Sequence, residues 1–344
     1  MSLNLHVDGE RWRTHLQSVL ASHPGIVPVA KGNGYGLGIG RLSRRAAWLG
    51  TDTLAVGTYD EVVEAASRFD GSILVLSPWR PFETRGVFDE HVIHTVGRLS
   101  DLGELAARDD RPRVVLERMT SMLRHGFSAR LLREASSRLR GVALEGVAIH
   151  LPMAQGSHMP EMERLMTDIV AADLPTNRIY VSHLTDPEVE ALRATYPDYE
   201  FRPRIGTRLW LGDRGALKVT ATVLDAHPVE RGDVFGYRGR TAPRSGTILI
   251  VSGGTAHGIG LEAPTGGASL KARAATIAKG GLDAAGFVRS PYIIDGKHRL
   301  FAEPPHMQAS MLFLPSGAHI PKVGDEVDVR VRYTATTFDQ TMIT

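Results

Sequence analysis

Eight short apolar runs recur along the first two thirds of the chain: IVPVA, TLAV, SILVLS, VIHTV, RVVLE, LEGVAIH, RIYVS and EFRPRIG. Stretches with apolar residues three and four apart separate most of them, at 41–49, 60–68, 99–108, 129–139, 160–172 and 187–195. Short runs of this kind suit strands, and the longer periodic stretches suit amphipathic helices. Eight strands, most followed by a helix, predict an α/β fold, a closed (β/α)8 TIM-like barrel over residues 1–212. An open doubly wound sheet is the runner-up. It needs fewer strands and a G-x-G-x-x-G loop, which KGNGYGLG does not match. Beyond Leu211 the pattern changes to strands broken by Gly, Pro and Asp turns, as in LKVTATVLDAHPVERGDVFGYRG and GDEVDVRVRYTATTFD. Residues 213–344 therefore read as an all-β C-terminal domain.

Composition narrows the function classes. The chain has 344 residues, 42% of them hydrophobic, which is ample for a sizeable core. A net charge of +2 gives no reason to expect a nucleic-acid partner. The chain holds no cysteine, so disulfides and thiolate chemistry are excluded and a reducing compartment fits. No apolar run reaches the length of a membrane span, and MSLNLHVDGERWRTHL carries charge where a signal peptide needs an apolar centre. The expectation is a cytoplasmic protein with no membrane partner.

A barrel carries its chemistry at the C-terminal ends of its strands. There the sequence places Lys31, Glu117 with Arg124 seven residues on, His150, Ser182 and His183, then Arg202, Arg204, Gly206 and Thr207. Most of these are expected to converge on one face. Lys31 follows an apolar run, and burial would lower its pKa, because a low dielectric penalises the ammonium. A neutral amine can condense with an aldehyde. The glycines after it permit close approach of backbone to ligand, and Tyr35 and the amides of RIGT could hold a phosphate. An aldehyde and a phosphate on one aromatic ring describe pyridoxal 5'-phosphate.

These segments resemble the alanine racemases and their relatives, pyridoxal-phosphate enzymes of fold type III. VPVAKGNGYGLG resembles the cofactor-lysine motif, and RPRIGTRLWLG the closing arginine-glycine motif. Between them DTLAVGTYDEVVEA, VVLERMTSMLRHGF and LEGVAIH follow in family order. The resemblance implies that Lys31 carries the cofactor and serves as one acid/base. It implies that Tyr35, Gly206, Thr207 and either Ser182 or Thr185 hold the phosphate, that His150 packs on the ring, and that Arg124 meets its phenolic oxygen. Arg204 would face the pyridine nitrogen. An arginine does not give up its proton there, so the ring stays a weaker electron sink. That suits removal and return of the Cα proton in an amino-acid racemase or epimerase. The family further implies a head-to-tail homodimer, because its β domain completes the neighbour's site.

The chain also departs from the family. Glu117 stands where many members have a carbamylated lysine, and supplies a carboxylate directly. Racemisation needs a base on each face of Cα. The family's second base is a tyrosine in a G-Y-A-D-G segment, and the matching stretch here, VSGGTAHGIG, puts Thr255 at the tyrosine and His257 at the aspartate. A family Met-Asp pair is Met307-Gln308 here, preceded by His306. His257 and His306 are thus the candidates for the second base, and the substrate is expected to differ from plain alanine. Two alternatives are a lyase acting on a D-amino acid and a non-catalytic cofactor-binding protein. Relatives of the lyase kind use a β-domain metal, but neither histidine belongs to a metal-ligand motif, so no metal is expected.

Overall fold

The computed structural model describes residues 2–84, 88–153, 156–261 and 288–344. They form two compact units, one of residues 13–212 and the other of residues 1–12 with 213–344.

The first unit is a barrel of eight parallel strands: β2 (Val27–Pro28), β3 (Thr53–Val56), β4 (Ser72–Pro78), β5 (Val92–Val96), β6 (Arg113–Arg118), β7 (Ala143–His150), β8 (Arg178–Ser182) and β9 (Glu200–Ile205). Each pairs with its neighbour in chain order, and β2 pairs with β9. A parallel bridge between Val29 and Ala55 joins β2 to β3 and closes the ring. All eight predicted apolar runs are strands. Their interiors are near-continuously buried, as strands enclosed by helices require. Val27, Val29, Ala55, Leu74, Ile93, Val115, Ala148 and Tyr180 form an apolar cluster drawn from seven of the strands. This layer makes the centre a packed core and leaves the chemistry to the rim.

The second unit is all β. Its strands are β1 (Leu3–Val7), β10 (Leu217–Val229), β11 (Val234–Phe235), β12 (Arg240–Thr241), β13 (Gly246–Ser252), β14 (Arg289–Ile294), β15 (Lys297–Phe301), β16 (Ala309–Pro315), β17 (Glu326–Val329) and β18 (Gln340–Ile343). The long strand β10 shifts register between Val223 and Asp225. Its first half pairs with β1 and β17, and its second half with β13. The order β10-β13-β16-β15-β14-β17 thereby closes on itself.

One boundary differs from the expectation. The barrel was expected from residue 1, but β1 joins the β unit, antiparallel to β10 and parallel to β18. Leu3, Leu5 and Val7 are fully or almost fully buried there. Strand period sends them to one face, and the apolar interior of the β sheet takes that face.

Candidate active site

Successive strand residues point to opposite faces, so the residue two beyond an inward-facing one faces inward again, one layer higher. Two residues past Val29, Ala55, Leu74, Ile93, Val115, Ala148 and Tyr180 come Lys31, Gly57, Leu76, Thr95, Glu117, His150 and Ser182. Arg202, the register partner of Tyr180, leads in the same way to Arg204. The second layer therefore gathers one amine, one carboxylate, one imidazole and one guanidinium at the C-terminal rim.

Burial and charge set their chemistry. Arg204 is buried and donates from Nη2 to the Ile149 carbonyl at 2.9 Å, while its Nε finds no partner. Burial pulls its pKa down to about 10, with Glu117 opposing, so the guanidinium keeps its charge at neutral pH. Burial raises the pKa of Glu117, and Arg204, Arg124 and Arg80 pull against it. His150 is pushed down to about 3 by burial, then by Arg204, Arg124, His183 and Lys31, so it is a neutral ring. Its Nδ1 lies 2.8 Å from the Ser182 hydroxyl. The Lys31 pKa is lowered by burial first and by the Arg124 and Arg204 charges next, with Glu61 opposing. Lys31 was expected to be buried by its apolar neighbours, but the residue lies exposed at the rim. The nearby guanidiniums therefore share in depressing its amine.

The loop after Lys31 is shaped by backbone. Gly32, Gly34, Gly36 and Gly38 all have positive φ. Tyr35 does too, at 56°, a conformation that costs a non-glycine residue about 1 kcal/mol or more. This turn buries the Tyr35 side chain and drives its hydroxyl against Gly206, where a Cβ would overlap the phenol oxygen. The parallel register of β2 on β9, with Val27 opposite Arg204 and Pro28 opposite Ile205, brings the two loops side by side. Burial, with Glu61 adding, pushes the Tyr35 hydroxyl up to about 12, so it stays a protonated donor. Gly206 begins the short helix Thr207–Leu211, whose first amides have no partner within that helix. Trp210 anchors the helix by donating from Nε1 to the Val29 carbonyl at 2.7 Å.

Glu61 went unnoticed in the sequence. Its carboxylate accepts from the amides of Gly57 at 2.5 Å and Gly32 at 2.6 Å, tying the Lys31 loop to the turn after β3. Its signal was the spacing Thr58-x-x-Glu61, a capping box. Arg202 is a correction in the other direction. It was grouped with the rim, but its guanidinium binds Asp52 and the Gly25 carbonyl, just ahead of β3 and β2, at the N-terminal end of the barrel. Arg124 and His183 stand in rim loops and Thr207 opens the helix Thr207–Leu211, and the His183 ring lies 5.0 Å from that of His150. Thr185 caps the helix Asp186–Thr195 instead, donating to Glu188.

The two remaining candidates belong to the β unit. His257 ends the turn Thr255–His257, and both of its ring nitrogens are engaged. Nδ1 accepts from the Gly254 amide at 3.2 Å, and Nε2 lies 3.1 Å from Asp339. His306 is half-buried and meets Glu303 through Nε2 at 2.6 Å. Among the described residues no three His, Asp or Glu side chains group as a metal site would need. None of their helices is long and apolar enough to cross a membrane.

Known proteins match this chain in sequence family and in fold. The family model for the alanine racemase N-terminal domain matches residues 7–185, more than half of the chain. The chain belongs to the alanine racemase family. A curated alanine racemase from Nitratidesulfovibrio vulgaris (strain DSM 19637 / Miyazaki F) is 28% identical, over 71% of this chain and 72% of that protein. The fold matches the crystal structure of alanine racemase from Bartonella henselae with covalently bound pyridoxal phosphate, at a TM-score of 0.76 and 15% identity. That match covers 100% of this chain and 99% of the other. Alanine racemase from E. faecalis matches at a TM-score of 0.71 and 18% identity, over 99% and 98% of the two chains. This member of the alanine racemase family therefore shares both the barrel and the C-terminal β domain with its structural neighbours.

Proposed function

We propose that the protein is a pyridoxal-phosphate-dependent amino-acid racemase or epimerase acting on a substrate other than plain alanine. The observation that carries this reading is the buried Arg204 in one interior layer with Lys31, Glu117 and His150. The residues present fit the cofactor. Arg204 Nε is buried without a partner, which suits a ring nitrogen as acceptor. Tyr35 and Gly206 form a cradle with no room for a side chain, beside helix amides that have no partner within their own helix. The depressed Lys31 amine suits an aldehyde.

Pyridoxal phosphate, when bound, supplies an electron sink conjugated to Cα. The chain's own groups do the rest. Lys31 would hold the cofactor's aldehyde carbon and would move a proton on one face of Cα. Tyr35, with the amides of Gly206 and Thr207 and the Ser182 hydroxyl, would bind phosphate, and the neutral His150 ring would pack against the cofactor. Arg124, steadied by Glu117, would donate to the phenolic oxygen. Arg204 would leave the ring nitrogen unprotonated, which would restrain the sink and favour returning the proton over breaking another bond. A second base must come from the other face. The β unit of a neighbouring copy supplies it in a head-to-tail homodimer, with His257 and His306 as the two histidines to weigh.

The test is deuterium uptake at Cα, followed by NMR over a panel of L- and D-amino acids. Exchange from both enantiomers of one substrate supports racemisation. A protein that shows a bound-cofactor absorbance band but exchanges none of them overturns the reading. Light scattering should give the mass of a dimer at working concentration.

A further inference from the structure

In the β unit, a cleft of about 760 Å³ is lined by Tyr237, Arg238, Thr255, Glu303, His306 and Gln308, among others. Glu303 is only 2% exposed, yet its carboxylate contacts no lysine or arginine among the described ion pairs. Its Oε1 accepts from His306 Nε2 at 2.6 Å and from the Tyr237 amide at 3.3 Å. A Cβ at Gly236 would run into that carboxylate, so the chain wraps closely around it. Tyr237 is 88% exposed, and its ring packs against His306 at 4.6 Å between centroids, tilted by 54°. The Thr255 amide donates to the His306 carbonyl at 2.8 Å, which fixes the histidine backbone against the turn.

A buried carboxylate that takes the Nε2 proton selects one tautomer and leaves Nδ1 as a lone pair. The carboxylate also stabilises the imidazolium that forms when Nδ1 takes a proton. A nucleophile's or carbanion's base is built in this way, with a carboxylate orienting the imidazole. His257 has no such freedom, because its Nδ1 already accepts the Gly254 amide.

We infer that Glu303 and His306 form a catalytic dyad in which His306 Nδ1 is the second base and Glu303 the residue that positions it. The inference rests on the racemase reading above. The Cα–H bond would break, its proton would go to Nδ1, and its electron pair would be shared with the sink conjugated to Cα until the Lys31 ammonium gives a proton to the opposite face. In the reverse direction the imidazolium returns the proton. Tyr237 packs beside the His306 ring, and Arg238 lines the same cleft as a cation for an anionic substrate group. The titratable groups facing His306 are Glu303 and Tyr237, with Arg238 lining the same cleft.

The experiment uses the full-length holoenzyme and the best substrate from the exchange panel, starting from each enantiomer separately. His306→Gln should slow exchange from one enantiomer about 100-fold or more and leave the other within a few-fold. Glu303→Gln should slow the same enantiomer about tenfold and move the alkaline limb of its pH profile. A ¹⁵N-imidazole NMR spectrum should show His306 as the Nε2–H tautomer, and Glu303→Gln should mix the tautomers while far-ultraviolet circular dichroism stays unchanged. Symmetric, undiminished exchange in His306→Gln, or an Nδ1–H tautomer in the unmutated protein, overturns the dyad alone. Absence of exchange in the unmutated protein overturns the racemase reading and the base assignment with it.

Discussion

At the barrel mouth, Tyr35 is wedged against Gly206 in a space that admits no extra carbon. In the β unit, His257 is held by the Gly254 amide and Asp339, and the His306 ring by Glu303. The first arrangement is steric and unforgiving. The second is a set of hydrogen bonds, in which the reach and polarity of a group matter more than its exact shape. Close packing fixes residue identity, whereas a proton-transfer group, as proposed for the β unit, needs only a matched pKa and reach.

The largest expected effect lies at the mouth. Lys31→Ala should abolish the absorbance of bound cofactor and lower exchange by about 10³-fold or more, measured by spectrophotometry and NMR. Retained absorbance with full exchange would break the contrast at its centre. Gly206→Ala comes next. It should weaken cofactor binding about 10- to 100-fold, roughly 1.4 to 2.8 kcal/mol, in an absorbance titration. Adding Tyr35→Phe should cost less than the sum of the two changes, because the clashing oxygen is gone. Strict additivity would show that the two residues do not press on each other.

Glu188 sharpens the comparison from the rim loops. It is half of a polar network, yet nearly buried. Burial alone would raise its pKa, but the amides of Thr185 and His158 and the hydroxyls of Thr185 and Ser157 outweigh burial and hold it at about 2, against an ordinary 4.5. A depressed carboxylate contributes stability in full above the unfolded value, and that stability is lost as pH falls from 4.5 toward 2. Glu188→Gln should therefore cost on the order of 2 kcal/mol at neutral pH and flatten the acid limb, seen in urea melts at several pH values. The smallest effect is expected at His257. His257→Gln should cost about 1 kcal/mol of stability and change exchange by less than a few-fold. Loss of exchange from one enantiomer would instead make His257 the base.

Much of this was legible because strand and helix periods are local. All eight barrel strands stood out as apolar runs, and the layer holding Lys31, Glu117, His150 and Arg204 follows from counting by two. Strand β1 was missed because its partners lie more than two hundred residues away. Arg202 and Arg204 share a strand face, but a long side chain can run to either end of a barrel, and Asp52 draws the first one down. Glu303 was not singled out from the sequence FAEPPHMQ. Its role depends on burial and on a chain reversal that no short pattern reveals.

Strand β1 has a further consequence. The barrel, residues 13–212, is inserted between the first strand of the β unit and the rest of it. During synthesis the barrel is complete on paper before β10 has left the ribosome, while Leu3–Val7 still lacks both neighbours. The strand receives its other partner only with Gln340–Ile343, more than three hundred residues further along. Until that segment is made, β1 lacks a neighbour, so completing this part of the sheet is a long-range closure that is slow and open to chaperones.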